Sequence, residues 1–469
     1  MRSKYTSPKS NVYSCLLTVI VFVVTLGLRN ILPQGTDSAK YASNISHAST
    51  SLLLPIMAIL TMTGFTVNRL PRFNITGRIF SKMIPASVGK LIFLAIGTSM
   101  WIWMEAYVKL QISWYGESIL KPLEREEPVD FNNTTYGKHT TLNLSSITVH
   151  YVSKGCDNKE DNSSILLLLH GFLDFWYIWN RQIPTLGEEF CVVAPDLRGY
   201  GLSTKPVDPE EYVMTFLIND VKDLLGVINP NHTRKVVLVG HGWGGMISFC
   251  FATMYETLID KMIIINGMHP KAFSKQLLRS LKQMRMSWYL MSFRHPVVPE
   301  QYLELRDFAF FDQVHRGFTK DEEYAHKYMF SRKGALTGAL NYYRAVNESE
   351  GLHKLQYRKI NVTTLILWGQ KDAFLTHPIA RFNREWLTTS YVLYYRKAGH
   401  WLQRECSEQV AARIEEFVLD EKYELLTNET SAEQSVDTCS ESLTPDESRT
   451  GTICPLLPAY ASVPDFNLE

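Results

Sequence analysis

The chain is 469 residues long, 45% hydrophobic, and carries a formal net charge of +1. That length accommodates one large domain with additions, and the near-neutral balance excludes a polyanion such as nucleic acid as an evident partner. The seven cysteines (Cys15, Cys156, Cys191, Cys250, Cys406, Cys439, Cys454) show neither CxxC nor Cys/His spacing, so no zinc site is expected, and an odd count forces no disulfide framework.

Residues 1–110 read as a membrane region of one to three spans. Residues 12–28 form an almost unbroken apolar run, with Arg2, Lys4 and Lys9 before it and Arg29 after it. Residues 52–67 and 91–108 are further candidates, all near the lower limit of the roughly 17–25 residues that a spanning helix needs. Pro55 and Glu105 count against the second and third runs. A cleaved signal peptide is the competing reading of the first, although no small-x-small cleavage site follows it. Arg69, Arg72, Arg78, Lys82 and Lys90 crowd the second connection, whereas the first is nearly neutral. The positive-inside rule then places the following domain on the lumenal or outer side for one or three spans, and reverses it for two. Sequons agree: Asn44, Asn132, Asn133, Asn143, Asn162, Asn231, Asn347, Asn361 and Asn428 all head N-x-S/T. Asn74 does too, but faces the cytosol in the three-span arrangement; sequons are short, and many go unused. The expected location is the endoplasmic reticulum or plasma membrane.

Residues 111–144 form a polar neck, and residues 145–420 alternate strand and helix patterns. Residues 147–152 alternate and end at Lys154-Gly155, as an edge strand and turn do. Continuous apolar runs follow at residues 165–169, 192–194, 236–239, 262–265, 364–367 and 392–395. Such runs suit parallel strands covered on both faces. Helical patterns lie between them, for example at residues 213–227 and 410–418, which predicts an α/β domain with a mostly parallel sheet. Residues 270–358 are helical in period and rich in Arg, Tyr, Phe and Met, and read as a lid over the strand ends. Residues 421–469 are Ser/Thr/Glu-rich with scattered Pro and read as disordered.

The stretch KVVLVGHGWGGMISFCFATMY, residues 235–255, reads as buried strand, glycine-dense turn and apolar helix. This is the strand–elbow–helix of an α/β-hydrolase, whose nucleophile sits on the sharp turn. The central position here is Gly242, which has no side chain. GHGWGG resembles the GHDWGG elbow of the epoxide hydrolases, with the nucleophilic Asp replaced by Gly242, and the likeness extends over roughly residues 145–419.

That resemblance implies a set of roles. His170-Gly171-Phe172 matches the HGF that opens the oxyanion loop, so the backbone N–H groups of Phe172 and Trp243 are the implied donors. Leu173 stands where the family usually has proline. Asp372 in LWGQKDAFL and His400 in KAGHWLQ occupy the acid and base positions, in the order elbow, acid, histidine. Tyr343 in LNYYRAV and Tyr289 in WYLMSFRHP match the two lid phenols that hydrogen-bond the epoxide oxygen, although tyrosine is also common in lids for packing. Asp196-Leu197-Arg198-Gly199-Tyr200-Gly201 is expected to be a structural turn in which Arg198 pairs locally, and Asp174 to hydrogen-bond its own loop. The tyrosine pair and Phe172 favour the epoxide branch over the haloalkane dehalogenases. A serine esterase is disfavoured because no GxSxG lies at the elbow.

Family enzymes attack the epoxide with a carboxylate and hydrolyse the resulting ester with a His-activated water. Gly242 cannot perform the first step, but it does adopt without strain the backbone conformation that an elbow imposes. Two functions therefore stand. One is a membrane-anchored epoxide-hydrolase homologue, impaired in covalent catalysis, that binds an apolar epoxide or lipid. The other is an active epoxide hydrolase, either by direct attack of a water activated by His400 or because the native residue is Asp. No metal or organic cofactor is implied, and an oligomeric state is not legible.

Overall fold

A computed structural model describes residues 86–157, 163–346, 355–420 and 433–436. The apolar runs at residues 12–28 and 52–67, and the sequons at Asn44, Asn74, Asn162, Asn347 and Asn428, lie outside these.

Among the described residues the core is a nine-stranded sheet: β1 Lys138–Asn143, β2 Thr148–Lys154, β3 Ile165–Leu169, β4 Cys191–Pro195, β5 Val236–His241, β6 Lys261–Ile265, β7 Thr363–Gly369, β8 Ser390–Tyr395 and β9 Glu433–Val436. Their spatial order is β1-β2-β4-β3-β5-β6-β7-β8-β9. β2 pairs antiparallel with β1 and with β4, and every later pairing is parallel. Each apolar run of the sequence lies within one strand, because a strand covered on both faces cannot alternate. β3, β4 and β5 are buried at every position.

Connections between parallel strands cross over as helices: α1 Ala86–Tyr115 precedes the sheet, then come α2 Ile183–Glu189, α3 Met214–Ile228 and α4 Trp243–Tyr255. Between β6 and β7 lies the helical insertion: α5 Pro270–Arg279, α6 Leu281–Met286, α7 Tyr289–Ser292, α8 Val298–Val314, α9 Lys320–Ser331 and α10 Ala335–Ala345. The later helices are α11 Pro378–Asn383, α12 Leu402–Glu405 and α13 Ser407–Leu419. α9 starts on a capping box in which the Thr319 side chain accepts from the Glu322 N–H and the Glu322 carboxylate accepts in return.

Register decides where the chemistry emerges. His241 sits opposite Ile265, Ile265 opposite Leu367, and Gly369 opposite Tyr395. The carboxyl ends of β5, β6, β7 and β8 therefore share one edge, and the loops that follow them converge there.

The structure adds to the sequence reading in two places. Four residues of the tail read as disordered, Glu433–Val436, pair parallel with β8. β8 otherwise presents an open edge of unpaired backbone groups, which a short segment can satisfy whatever its composition. Cys156 and Cys191 form a disulfide between the end of β2 and the start of β4, a pairing that spacing alone did not mark. Cys406 is also disulfide-bonded, and Cys250 is a buried free thiol.

In the DLRGYG turn, Arg198 pairs not within the turn, as expected, but with Asp220 of α3. Arg198 donates two hydrogen bonds to Asp220, at 2.8 and 2.7 Å, beneath α3. Burial pushes the Asp220 carboxyl up, and the Arg198 guanidinium pulls it back toward the charged form. Arg198→Ala leaves Asp220 buried without that partner and is expected to cost about 3–5 kcal/mol in denaturant unfolding. Asp220→Asn in the same background is expected to recover part of the loss.

Candidate active site

β5 ends at His241 and α4 begins at Trp243, so one residue makes the whole reversal. Gly242 holds φ 55° and ψ −114°, a region in which any L side chain is strained. The helix lies so close to the sheet that a Cβ on Gly244 would come 2.3 Å from the Leu169 carbonyl oxygen. A Cβ built on Gly242 meets only ordinary contacts: His400 Nε2 at 3.4 Å and Gly171 Cα at 3.6 Å. The vacant side-chain direction at position 242 thus points at the His400 imidazole.

His400 follows β8, and its Nδ1 lies 2.7 Å from Asp372 Oδ2, in the loop after β7. The other oxygen of Asp372 accepts from the N–H groups of Phe374 (2.7 Å) and Leu375 (2.9 Å). Asn266, at the end of β6, donates a further bond of 2.7 Å to Oδ2. The Asn266 side-chain oxygen accepts from the Gly369 N–H at 2.9 Å, and the residue sits at φ 41°. Four donors thus hold one carboxylate, which fixes the imidazole and leaves Nε2 toward position 242. Burial disfavours the His400 imidazolium, but the Asp372 charge and hydrogen bond outweigh it and raise its pKa above the ordinary histidine value.

The structure also gathers residues that the sequence reading did not assign. His241 donates from Nε2 to the His400 carbonyl at 3.1 Å, and its Nδ1 lies 3.3 Å from Asp174 Oδ2. Asp174 further accepts from the Trp401 indole N–H at 3.1 Å and faces His326 Nε2 at 3.7 Å. The loop hydrogen bonding expected of Asp174 is therefore replaced by a fully buried side-chain cluster. Burial works to raise the Asp174 carboxyl, but His241 and His326 together hold it below the usual carboxylate range. No sequence signal joined these groups, because their partners come from four separate segments.

The lid covers the convergent loops with aromatic side chains. Tyr289 of α7 and Tyr343 of α10 meet edge to face with ring centroids 5.6 Å apart. Burial raises both phenols above their ordinary values, Asp372 adding to the effect at Tyr289 and Tyr289 adding to it at Tyr343, so both stay protonated as donors. The adjacent Tyr342 turns the other way and donates to the Arg198 carbonyl at 2.8 Å, so the two tyrosines of LNYYRAV divide between anchoring and lining. The two tyrosines, His400, Gly242, Phe172 and Trp243 border one cavity of about 630 Å³, open solvent included. The remaining walls are mostly apolar, including Met268, Phe293 and Phe310. That lining suits a small apolar ligand oriented by a few polar groups.

Both implied oxyanion donors lie at this cavity. The Trp243 N–H opens α4, where no carbonyl of the helix can reach it, and the Phe172 N–H follows β3. Leu173 has φ 61°, a value closed to proline, whose ring fixes φ near −65°. The departure from the family's proline thus coincides with a loop path that proline cannot take.

The profile of the α/β-hydrolase fold family matches residues 164–405. Among similar proteins, mouse epoxide hydrolase 4 is 34% identical over 308 residues, 63% of this chain and 83% of that one. Xenopus tropicalis epoxide hydrolase 3 is 32% identical over 308 residues, 63% of this chain and 81% of its own. The crystal structure of a Bacillus megaterium epoxide hydrolase with an inhibitor aligns at a TM-score of 0.54 and 27% identity, covering 60% of this chain and all of that one (100%).

The raised pKa of His400 has a definite sign for stability. Its contribution is fully present below the unfolded value of about 6.5 and is lost as pH rises through the folded pKa. Titrating the His400 ring by NMR is expected to show a midpoint above that of a free histidine. Asp372→Asn is expected to lower that midpoint and to remove the corresponding stability at acidic pH.

Proposed function

This chain belongs to the α/β-hydrolase fold family and, by its relatives, to the epoxide hydrolases within it, and from that premise we propose a membrane-anchored protein whose pocket binds an apolar epoxide or related lipid while covalent catalysis is impaired. One observation carries the reading. The elbow residue facing His400 is a glycine, while the groups that would serve the rest of the reaction stand around an apolar cavity.

In this reading the tyrosine pair donates to the epoxide oxygen, and the Phe172 and Trp243 N–H groups address developing negative charge during ester hydrolysis. His400, oriented by Asp372, is the base for the hydrolytic water. The ester that this water would attack requires a carboxylate at position 242. Loss of a nucleophile in such a site costs on the order of a million-fold, roughly 8 kcal/mol of barrier. What remains is a binding site with catalytic furniture, suited to sequestering or sensing its ligand.

Support for membrane attachment comes from the three apolar runs before residue 110, of which the described one, Gly89–Tyr115, is long and apolar enough to cross a bilayer. Support for a lumenal or extracellular domain comes from the Cys156–Cys191 disulfide, since such bonds persist in oxidising compartments. Asn132, Asn143, Asn231 and Asn361 are also exposed, as glycan acceptors must be.

Gly242→Asp tests the reading directly. The substitution returns a side chain to a strained backbone, so a stability loss of about 1–3 kcal/mol is expected. The unsubstituted chain, incubated with a fatty-acid epoxide in heavy-oxygen water, is expected to release no diol above background. The Gly242→Asp chain is expected to release diol and to show an ester adduct at position 242 by mass spectrometry. Labelled diol from the unsubstituted chain without an adduct would mean direct water attack and would sink the claim of impairment.

A further inference from the structure

The cavity beneath the lid offers one place for a charged group. Among the described residues that border it there is no Asp, Glu, Lys or Arg. Trp288, Phe293, Phe310 and Phe374 line it with aromatic surface, against which an apolar chain packs favourably. The exception is the wall at the elbow, where Gly242 and His400 meet the cavity together.

That wall carries donors. The His400 ring bonds Asp372 through Nδ1, and its Nε2 has no hydrogen-bond partner among the described residues. A Cβ built on Gly242 would stand 3.4 Å from that Nε2 and 3.6 Å from Gly171 Cα, so the space above the glycine admits a side-chain-sized group beside the ring. Trp243 opens a helix of 13 residues, and its N–H points out of the positive end. Tyr289 is 7% exposed, and its phenol has no hydrogen-bond partner among the described residues. Its ring lies 5.7 Å from that of Phe374, which in turn lies 5.2 Å from His400.

Charge narrows the choice of ligand. Burial lowers the pKa of the His400 imidazole, but Asp372 more than offsets it, and a second anion on the Nε2 side favours the imidazolium further. An epoxide or alcohol oxygen is neutral and leaves that cation unpaired in an apolar cavity. A phosphate brings up to two negative charges against one positive group, and the aromatic walls offer the excess no solvation. A carboxylate brings one charge and two acceptor oxygens, which suits one imidazolium and the backbone N–H groups beside it.

We propose that the space over Gly242 is a carboxylate site and that the pocket takes an aliphatic monocarboxylic acid head-first, its carboxylate between His400 Nε2 and the Phe172 and Trp243 N–H groups and its chain along the aromatic wall. The inference rests on the reading of this pocket as a binding site with impaired covalent catalysis, and names its ligand class. The ligand's own carboxylate then stands where an elbow carboxylate would stand, so the glycine at position 242 is what makes room for it.

The test measures equilibrium binding of octanoic acid, methyl octanoate and octanol to the full chain in lipid nanodiscs, with partition into empty discs subtracted. Octanoic acid is expected to bind at least about tenfold more tightly than either neutral analogue, as a charge-assisted pair supplies. Gly242→Asp is expected to abolish that preference, because its carboxylate fills the site and repels the ligand's. His400→Gln keeps a donor without the charge, and is expected to bring the acid to the level of the methyl ester while the ester's own affinity, unchanged, reports an intact pocket. Equal binding of acid and ester by the unsubstituted chain would overturn the inference and leave the apolar pocket standing. An acid preference that survives either substitution would overturn it too, since the acid then binds elsewhere. Binding of none of the three overturns the inference together with the pocket. Diol release from the unsubstituted chain would instead sink the impaired-catalysis reading without touching the acid preference.

Discussion

Everything in this site depends on one backbone reversal. The chain leaves β5 and enters α4 within a single residue, and α4 packs so close to β3 that no Cβ fits at Gly244 beside the Leu169 carbonyl. That places position 242 at φ 55° and aims its side-chain direction into the cavity at His400. An enzyme accepts strain here because the nucleophile must stand proud of the sheet. Glycine accepts the same geometry without strain and offers no side chain in that direction.

The same logic gives the acid and the histidine that face position 242 a structural role of their own. Asp372 satisfies Asn266, Phe374, Leu375 and His400, and His241 links the His400 carbonyl to the Asp174 cluster. Deleting one buried member strands the others at a cost of about 1–3 kcal/mol for each unsatisfied group. A triad acid is thus a structural keystone as well as a catalytic one. Its presence alone is weak evidence of turnover, and the elbow residue is the more telling position.

Much of this was legible in the sequence. Each continuous apolar run, such as residues 165–169, fell within a strand of the sheet, because full burial erases alternation and leaves a signal that needs no tertiary context. Gly242, Asp372 and His400 were legible because each follows a strand in a fixed order, and the register then brings the strand ends together. Asn266 and the Asp174–His241–His326 cluster were not, since polar residues in loops carry no period and their partners lie on distant segments. The tail segment Glu433–Val436 was missed for the opposite reason: its pairing depends on the open edge of β8 and not on its own residues. Tyr343 could be matched by motif, but only packing separates it from Tyr342, which shares its chemistry and faces Arg198.

α1 and the lid form one folded body, and the strongest physical argument for this lies at a break in α8. Leu305 leaves the helical region, and Arg306, Asp307 and Phe308 all adopt left-handed backbone. Left-handed residues other than glycine cost roughly 1–2 kcal/mol each, so three in succession persist only where neighbours over-determine them. Those neighbours are outside the lid. Gln111 of α1 holds Arg306, while Arg125 and the Leu123 N–H of the neck hold Asp307. The outcome of the break is that Phe308 is buried and Phe310 turns toward the cavity. The pocket wall is thereby shaped by residues that precede the hydrolase domain, so a chain trimmed to residues 145–420 would lose groups that set the form of its own binding site.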